Sequence, residues 1–313
     1  MARPLRITYP GAFYHITSRG NERKEIYKTS RDREKFLSYL ESATERYGAM
    51  IHVYCLLNNH YHLLLETPSG NLSQIMRHIN GAYTTYFNTK RKRAGHLFQG
   101  RFKAILVDID EYAKELSRYI HLNPVRAGIA ERPENHQWSS YRYYIGKGEP
   151  PEWLIQDFIL GYFGKKHSVA RKAYRNFVVS LLGQEYYSPL DEVVGSTILG
   201  CDDFIREIKR KYLNKKEKNR DLPALSQLYR NPTIEEIITK VDAVITDDPA
   251  LSKKLKIYFC HKYSGKKLKD IGNQFGIKES GVSQSSRRFS MEIEKNTKLN
   301  KKINTIINRL NLH

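Results

Sequence analysis

From Gly11 to Gly20 (GAFYHITSRG) apolar, aromatic and β-branched residues alternate with polar ones, the pattern of a half-buried strand. Ser30 and Asp32 open SRDREKFLSYLESATERYG, where Phe36, Leu37, Leu40 and Ala43 recur at helical spacing before Gly48, a plausible C-cap. A second strand is predicted over Ala49–Leu57, and a tight Asn-Asn turn leads to a third, HYHLLLE. Leu72, Ile75, Met76, Ile79 and Tyr83 predict an amphipathic helix over Leu72–Lys90 despite Gly81. Phe102–Asp108 reads as a fourth strand, and Asp110–Pro124 as a third helix stopped by its proline.

The order β-α-β-β-α-β plus a helix predicts an α+β domain with a ferredoxin-like, RRM-like antiparallel sheet. In that topology the first and third strands are central neighbours, which places His15 beside the strand carrying His60 and His62. Past about residue 145 the pattern turns helical: PPEWLIQDFILGYF, VARKAYRNFVVSLLGQ and CDDFIREIKRKYL all read as helices. KKEKNRDLP reads as a solvated loop, and from Leu251 the chain is basic and helical to its end. The division expected is therefore 1–145 for the α+β domain, followed by an all-α region made of a helical connector, 146–250, and a helix-turn-helix DNA-binding domain, 251–313. No repeat and no low-complexity tract interrupts it.

Composition narrows the partners more than the fold. With 40% hydrophobic and 12% aromatic residues, the 313-residue chain can build packed cores, so global disorder is excluded. Its 53 Lys and Arg against 33 Asp and Glu leave a formal charge of +20, which favours polyanions, nucleic acid before an anionic membrane surface. No run of 18 apolar residues exists to span a bilayer, and the start MARPLRITYPG lacks the apolar core of a signal peptide. Cys55, Cys201 and Cys260 are scattered in neither a zinc pattern nor a disulfide framework. The composition points to a cytoplasmic, nucleic-acid-facing protein.

The candidate chemistry lies in LLNNHYHLLLE (Leu56–Glu66). On a strand, His60 and His62 share one face while Tyr61, Leu63 and Leu65 form an apolar row on the other. Two such imidazoles are either hydrogen-bonded sheet histidines or half of a divalent-metal site needing a third ligand from elsewhere. In SRYIHLNP, Tyr119 and Asn123 are four apart and share a helix face, although Asn123 precedes Pro124, a position biased away from helical geometry. A tyrosine hydroxyl and an oxygen ligand facing a histidine pair suit metal-assisted attack of a phenolate on a phosphodiester.

The stretches YHITSRGNE, NNHYHLLLE, GHLFQGRFKAILVD and YIHLNPVRAG occur in this order along the first 130 or so residues. In order and spacing they resemble the single-tyrosine HUH transposases, especially the REP-associated tyrosine transposases of bacterial chromosomes. HYH stands for the family's His-hydrophobic-His, Tyr119 for its nucleophile, and Asn123 for its third metal ligand. The resemblance implies that His60, His62 and Asn123 hold Mg²⁺ or Mn²⁺, and that Tyr119 cleaves single-stranded DNA to a 5′-phosphotyrosine and a free 3′-OH. It also implies recognition of hairpin DNA, a bacterial, nucleoid-associated location, and either a monomer or a homodimer, because the tyrosine helix can serve its own or a partner's histidines. No membrane partner is implied.

Arg101, Lys103, Arg118 and Arg126 surround these motifs and are candidates for phosphate contacts, as are Arg91, Lys92 and Arg93 in the basic loop NTKRKRAGH. His15 is read as a supporting residue rather than a ligand, and Tyr14, Tyr112 and Tyr141 as core. LKDIGNQFGIKESGVSQSSRRF (Leu268–Phe289) has helix-turn-helix spacing, with Ser280, Ser283, Gln284, Arg287 and Arg288 on the second helix suited to base edges and phosphates. Ser285 departs from the usual buried aliphatic. This region resembles the C-terminal DNA-binding domain of DnaA replication initiators. The reading is thus a metal-dependent DNA strand transferase. Its rivals are a replication initiator or relaxase of the same chemistry, a metal-dependent hydrolase that leaves no covalent adduct, and a DNA-binding regulator that keeps the fold without catalysis.

Overall fold

The structure, a computed structural model, describes residues 6–184, 188–213, 232–264, 266–294 and 297–310. The chain divides into two compact units, Met1–Leu225 and Ser226–His313. Residues 215–223, expected as a solvated loop, lie outside the described residues.

In the first unit β1 (Ala12–Arg19) is followed by α1 (Ser30–Tyr47), β2 (Met50–Leu56), β3 (His60–Thr67), α2 (Leu72–Lys90), β4 (Lys103–Val107) and α3 (Ile109–Arg126). The alternating segments become strands and the 3.6-periodic ones helices because each can then bury one continuous apolar face. Gly48 closes α1 at φ 65°, the left-handed conformation that its lack of a Cβ permits. With a short fifth strand, β5 (Ile198–Leu199), the sheet order is β2-β3-β1-β4-β5, so β1 and β3 are indeed neighbours in it. They pair antiparallel, with Thr17 opposite His62 and Arg19 opposite His60.

One face of the sheet packs on α1 and α2. Phe36 of α1 lies 4.7 Å from the Tyr61 ring and 5.2 Å from that of Tyr83, all three fully buried. The opposite face carries Val53, Cys55, Leu64 and Val107 against Ala113, Leu116, Tyr119 and Ile120 of α3. The short helices α4 (Tyr141–Tyr144) and α5 (Asp157–Gly161) and the longer α6 (His167–Val179) complete that cluster through Tyr141, Ile159 and Tyr174.

Two features differ from the pattern-based reading. Pro124 does not stop α3, which runs on to Arg126. The proline forfeits its own N–H, but the next carbonyls keep donors, with Ala127 N–H on Asn123 O at 2.9 Å and Ile129 N–H on Pro124 O at 2.9 Å. Residues 146–250 are also not wholly helical, because Ile198–Leu199 forms β5, a fifth strand parallel to β4. Leu106 N–H donates to Thr197 O at 2.8 Å and Asp108 N–H to Leu199 O at 2.7 Å, which covers an otherwise open edge. β5 is followed by α7 (Asp202–Ile208).

The second unit contains α8 (Ile234–Asp242), α9 (Pro249–Tyr263), α10 (Leu268–Phe275), α11 (Glu279–Glu294) and α12 (Thr297–Arg309). Ile237, Val241, Leu255, Phe259, Ile271, Val282, Phe289 and Ile306 form its core. The turn between α10 and α11 rests on two glycines. Gly276 sits at φ 65°, and a Cβ on Gly272 would lie 2.5 Å from the Ile277 carbonyl oxygen, closer than any side chain allows.

Candidate active site

The register of the central strands puts His15, Thr17 and Arg19 of β1 on the same face as His60 and His62 of β3. α3 crosses part of this face. The rings of His60 and His62 are 5.1 Å apart, and the Tyr119 ring stands edge-on to His62 at 5.9 Å and to His15 at 6.0 Å. Tyr119 thus faces the histidines of its own chain. It is 9% exposed, while His60, at the end of the strand, is half-buried.

His60 and His62 are each held through Nδ1. His60 Nδ1 is 2.6 Å from Asn59 Oδ1, and Asn59 Nδ2 donates to Arg23 O at 3.0 Å, which settles which way the amide points. A carbonyl oxygen can only accept, so His60 carries its proton on Nδ1 and a lone pair on Nε2. Asn59 is itself pinned, because Gly20 N–H donates to its carbonyl at 2.7 Å. A Cβ on Gly20 would come within 2.1 Å of Lys24 O, so this return of the chain requires glycine. His62 Nδ1 meets His15 Nε2 at 2.9 Å, and His62 Nε2 is buried without a hydrogen-bond partner.

Burial pushes the His15 imidazolium down to about 3. Burial, with Arg19 adding to it, pushes His60 down to about 4. His62 is held well below the ordinary range by burial first, and then by His15, His60, Arg19 and Arg126. All three imidazoles are neutral at pH 7, the form that binds metals.

Asn123 lies inside α3 and donates from Nδ2 to Tyr119 O at 2.9 Å, which turns its Oδ1 away from that carbonyl. Among the described residues no group of three or more His, Cys, Asp or Glu side chains could hold a metal ion. A site at His60 and His62 would therefore be completed by a neutral oxygen such as Asn123 Oδ1 and by oxygens of the ligand. The donor set fits a small divalent cation of that kind. Its clearest sign is the buried, unpartnered Nε2 of His62.

The cationic residues differ in what they meet. Arg126 lies over the Tyr119 ring at 4.8 Å. Lys103 is exposed and pairs with Thr17, which pairs on its other side with His62, so lysine and histidine share one row across the sheet. Arg19, exposed opposite His60, joins this rim. Neither Arg19 nor Thr17 was singled out from the sequence, although their spacing of four and two residues from His15 on one strand was the available signal. Others are engaged elsewhere. Arg118 pairs with Glu115, donates to Phe177 O at 3.2 Å and lies 3.9 Å from the Phe177 ring of α6. Arg91 pairs with the fully buried Asp32, and Arg93 donates to Asn88 Oδ1 at 3.1 Å and His96 O at 2.9 Å. Lys92, at φ 50°, and Arg101 are exposed. In the second unit Gln284, Arg287 and Arg288 are exposed on α11, with Ser283 half-buried.

In this α+β fold the helix that carries Tyr119 lies across the strand that carries His60 and His62. Residues 8–123 match the family model of the IS200-like transposases, a span from the approach to β1 through Tyr119 to Asn123. That match takes in a little over a third of the chain, which resembles these transposases in its N-terminal region. A Haemophilus influenzae protein, provisionally named a REP-associated tyrosine transposase, is 27% identical over 156 residues, covering 46% of this chain and 88% of the relative. A solved REP-associated tyrosine transposase bound to a REP hairpin aligns with a TM-score of 0.41 and 18% identity, over 50% of this chain and 93% of the other.

Proposed function

We propose that the chain is a metal-dependent DNA strand transferase that cleaves and rejoins single-stranded DNA through a 5′-phosphotyrosine on Tyr119. The observation that carries this reading is Tyr119 edge-on to His62, whose buried Nε2 has no protein partner. A Mg²⁺ or Mn²⁺ ion held by His60, His62 and Asn123 would polarise the scissile phosphodiester. Tyr119 Oη then attacks phosphorus: the Oη–P bond forms, the P–O3′ bond breaks, and its electron pair leaves on the 3′ oxygen. Water takes the phenolic proton and supplies one to the departing 3′ oxygen. One phosphodiester is exchanged for another, so a 3′-OH can reverse the step without ATP. Arg126 beside the ring and the exposed Arg19 and Lys103 would receive the strand's phosphates.

Hairpin-forming DNA is the substrate implied by the family resemblance, and the nucleoid the place where it would be met. We read α10 and α11 as a helix-turn-helix that grips a duplex stem, with Ser283, Gln284, Arg287 and Arg288 on its second helix. Among the described residues no helix is long and apolar enough to cross a membrane.

The test uses labelled single-stranded hairpins with flanking sequence, Mn²⁺, and a denaturing gel, with Tyr119→Phe alongside. A protein-linked band that requires metal and disappears in the variant is expected. Binding without an adduct across many hairpins would make the protein a regulator. Cleavage that survives Tyr119→Phe would make it a hydrolase.

A further inference from the structure

We propose that His15 is a positioning residue that holds His62 in the one tautomer able to bind a metal. The inference rests on the metal-dependent reading above. His15 Nε2 and His62 Nδ1 are 2.9 Å apart, with ring planes 11° apart and centroids separated by 5.2 Å. That separation at that angle is two imidazoles bonded edge to edge through a single shared proton.

A neutral imidazole has one N–H, so the shared bond allows two arrangements. If His15 donates, His62 accepts at Nδ1 and must carry its own proton on Nε2, where it blocks a metal. If His62 donates, its Nε2 lone pair is presented to the site and His15 carries its proton on Nδ1. Both outer nitrogens, His15 Nδ1 and His62 Nε2, are buried without partners, so the protein alone satisfies neither arrangement. A cation at His62 Nε2 selects the second.

The neighbouring ligand shows the same device. His60 Nδ1 is bonded to an atom that can only accept, Asn59 Oδ1, leaving its Nε2 lone pair outward. His15 supplies to His62 what Asn59 supplies to His60: an acceptor for Nδ1–H that turns Nε2 toward the site. Because His15 also lies 6.0 Å from the Tyr119 ring, it braces the ligand and the nucleophile from one place in the sheet.

The experiment pairs Mn²⁺ titration calorimetry on the full chain with long-range ¹H–¹⁵N spectra of the histidines. His15→Phe keeps an aromatic ring but no acceptor, and His15→Gln returns an acceptor oxygen. His15→Phe is expected to weaken Mn²⁺ binding about 10- to 100-fold, with His15→Gln recovering most of it. The spectra of the unsubstituted protein loaded with diamagnetic Mg²⁺ should show His62 protonated at Nδ1. They decide the matter even if His15→Phe fails to fold. Unchanged Mn²⁺ affinity in His15→Phe, equal losses in both variants, or His62 protonated at Nε2 with metal bound would overturn the inference. His62→Ala separates the two failures. If His62→Ala abolishes binding while His15→Phe does not, the metal site stands and His15 has no part in it. If the unsubstituted protein binds no Mn²⁺, both readings fall.

Discussion

His121 and His62 are both buried imidazoles of the first unit, yet their surroundings are opposite. His121 Nδ1 is 2.6 Å from the Tyr174 hydroxyl and its Nε2 is 2.8 Å from Ser140 Oγ. Tyr141, Tyr144 and Tyr174 enclose its ring at 5.3, 5.1 and 5.8 Å. Ser140 Oγ also accepts from Tyr54 N–H at 3.0 Å, so the network ties α3, α4 and α6 to β2. His62 has one partner, itself a histidine, and one bare nitrogen. Leaving such an atom unpaired costs on the order of 1–3 kcal/mol, which folding avoids at His121 and accepts at His62. The His121 network is architecture, whereas the bare Nε2 of His62, beside Tyr119, is the atom on which the proposed metal site rests. Asp32 is a second finished case. It accepts from Lys90 at 2.9 Å, from Arg91, and from the Lys28 and Thr29 N–H groups at 2.8 and 3.0 Å.

If that contrast is right, substitutions at finished networks should damage stability and spare metal binding, and those at His62 should cost less stability and abolish metal binding. The largest loss is expected for Asp32→Ala, about 4 kcal/mol by urea unfolding, because Lys90 and Arg91 lose a buried partner. A value below about 1 kcal/mol would remove Asp32 from the comparison. His121→Ala should lose about 3 kcal/mol, since it empties a tyrosine-lined space and removes one partner from each of two hydroxyls, with Mn²⁺ affinity unchanged.

The pH dependence follows from the same network. Burial pushes the His121 imidazolium down to about 3 from an unfolded value near 6.5. Below about pH 6.5 the unfolded chain therefore holds more protons than the folded one. The stability from neutral His121 is complete above that pH and falls by about 1.4 kcal/mol per unit on the way to 3. Urea midpoints at pH 7 and 5 should show a slope that His121→Gln reduces by about that amount. An unchanged slope would mean that His121 is not held neutral. The smallest effect on folding is expected at the open site. His62→Ala should cost about 1–2 kcal/mol, less than His121→Ala, because the removed ring carries an unpaired nitrogen of its own although His15 Nε2 loses its partner, while Mn²⁺ binding is lost. A loss as large as that of His121→Ala would erase the distinction.

Much of the fold was legible along the chain because strand and helix periods are local. The alternation around His60 and His62 puts both on one face whatever they pack against, and the 3.6 repeat of Leu72–Lys90 makes a helix of that span. Pro124 was misread as a stop because its effect on α3 depends on whether the following carbonyls find donors. β5 was missed because two residues carry no period and are recognisable only by the edge they cover. His121 sits between Tyr119 and Asn123 and passed unremarked, since its partners lie 19 and 53 residues further on.

The sequence by itself determined which side chains share a face, because backbone geometry sets that within a few residues. Only the tertiary structure decided what each charged or polar group meets there. It sent Arg91 to Asp32 across 59 residues and Arg118 to Phe177 across another 59, left Lys103 and Arg19 on the rim, and joined His15 to His62 across 47. Those meetings depend on strand register and helix packing, where a one-residue slip turns every side chain to the opposite face. No local pattern carries that information.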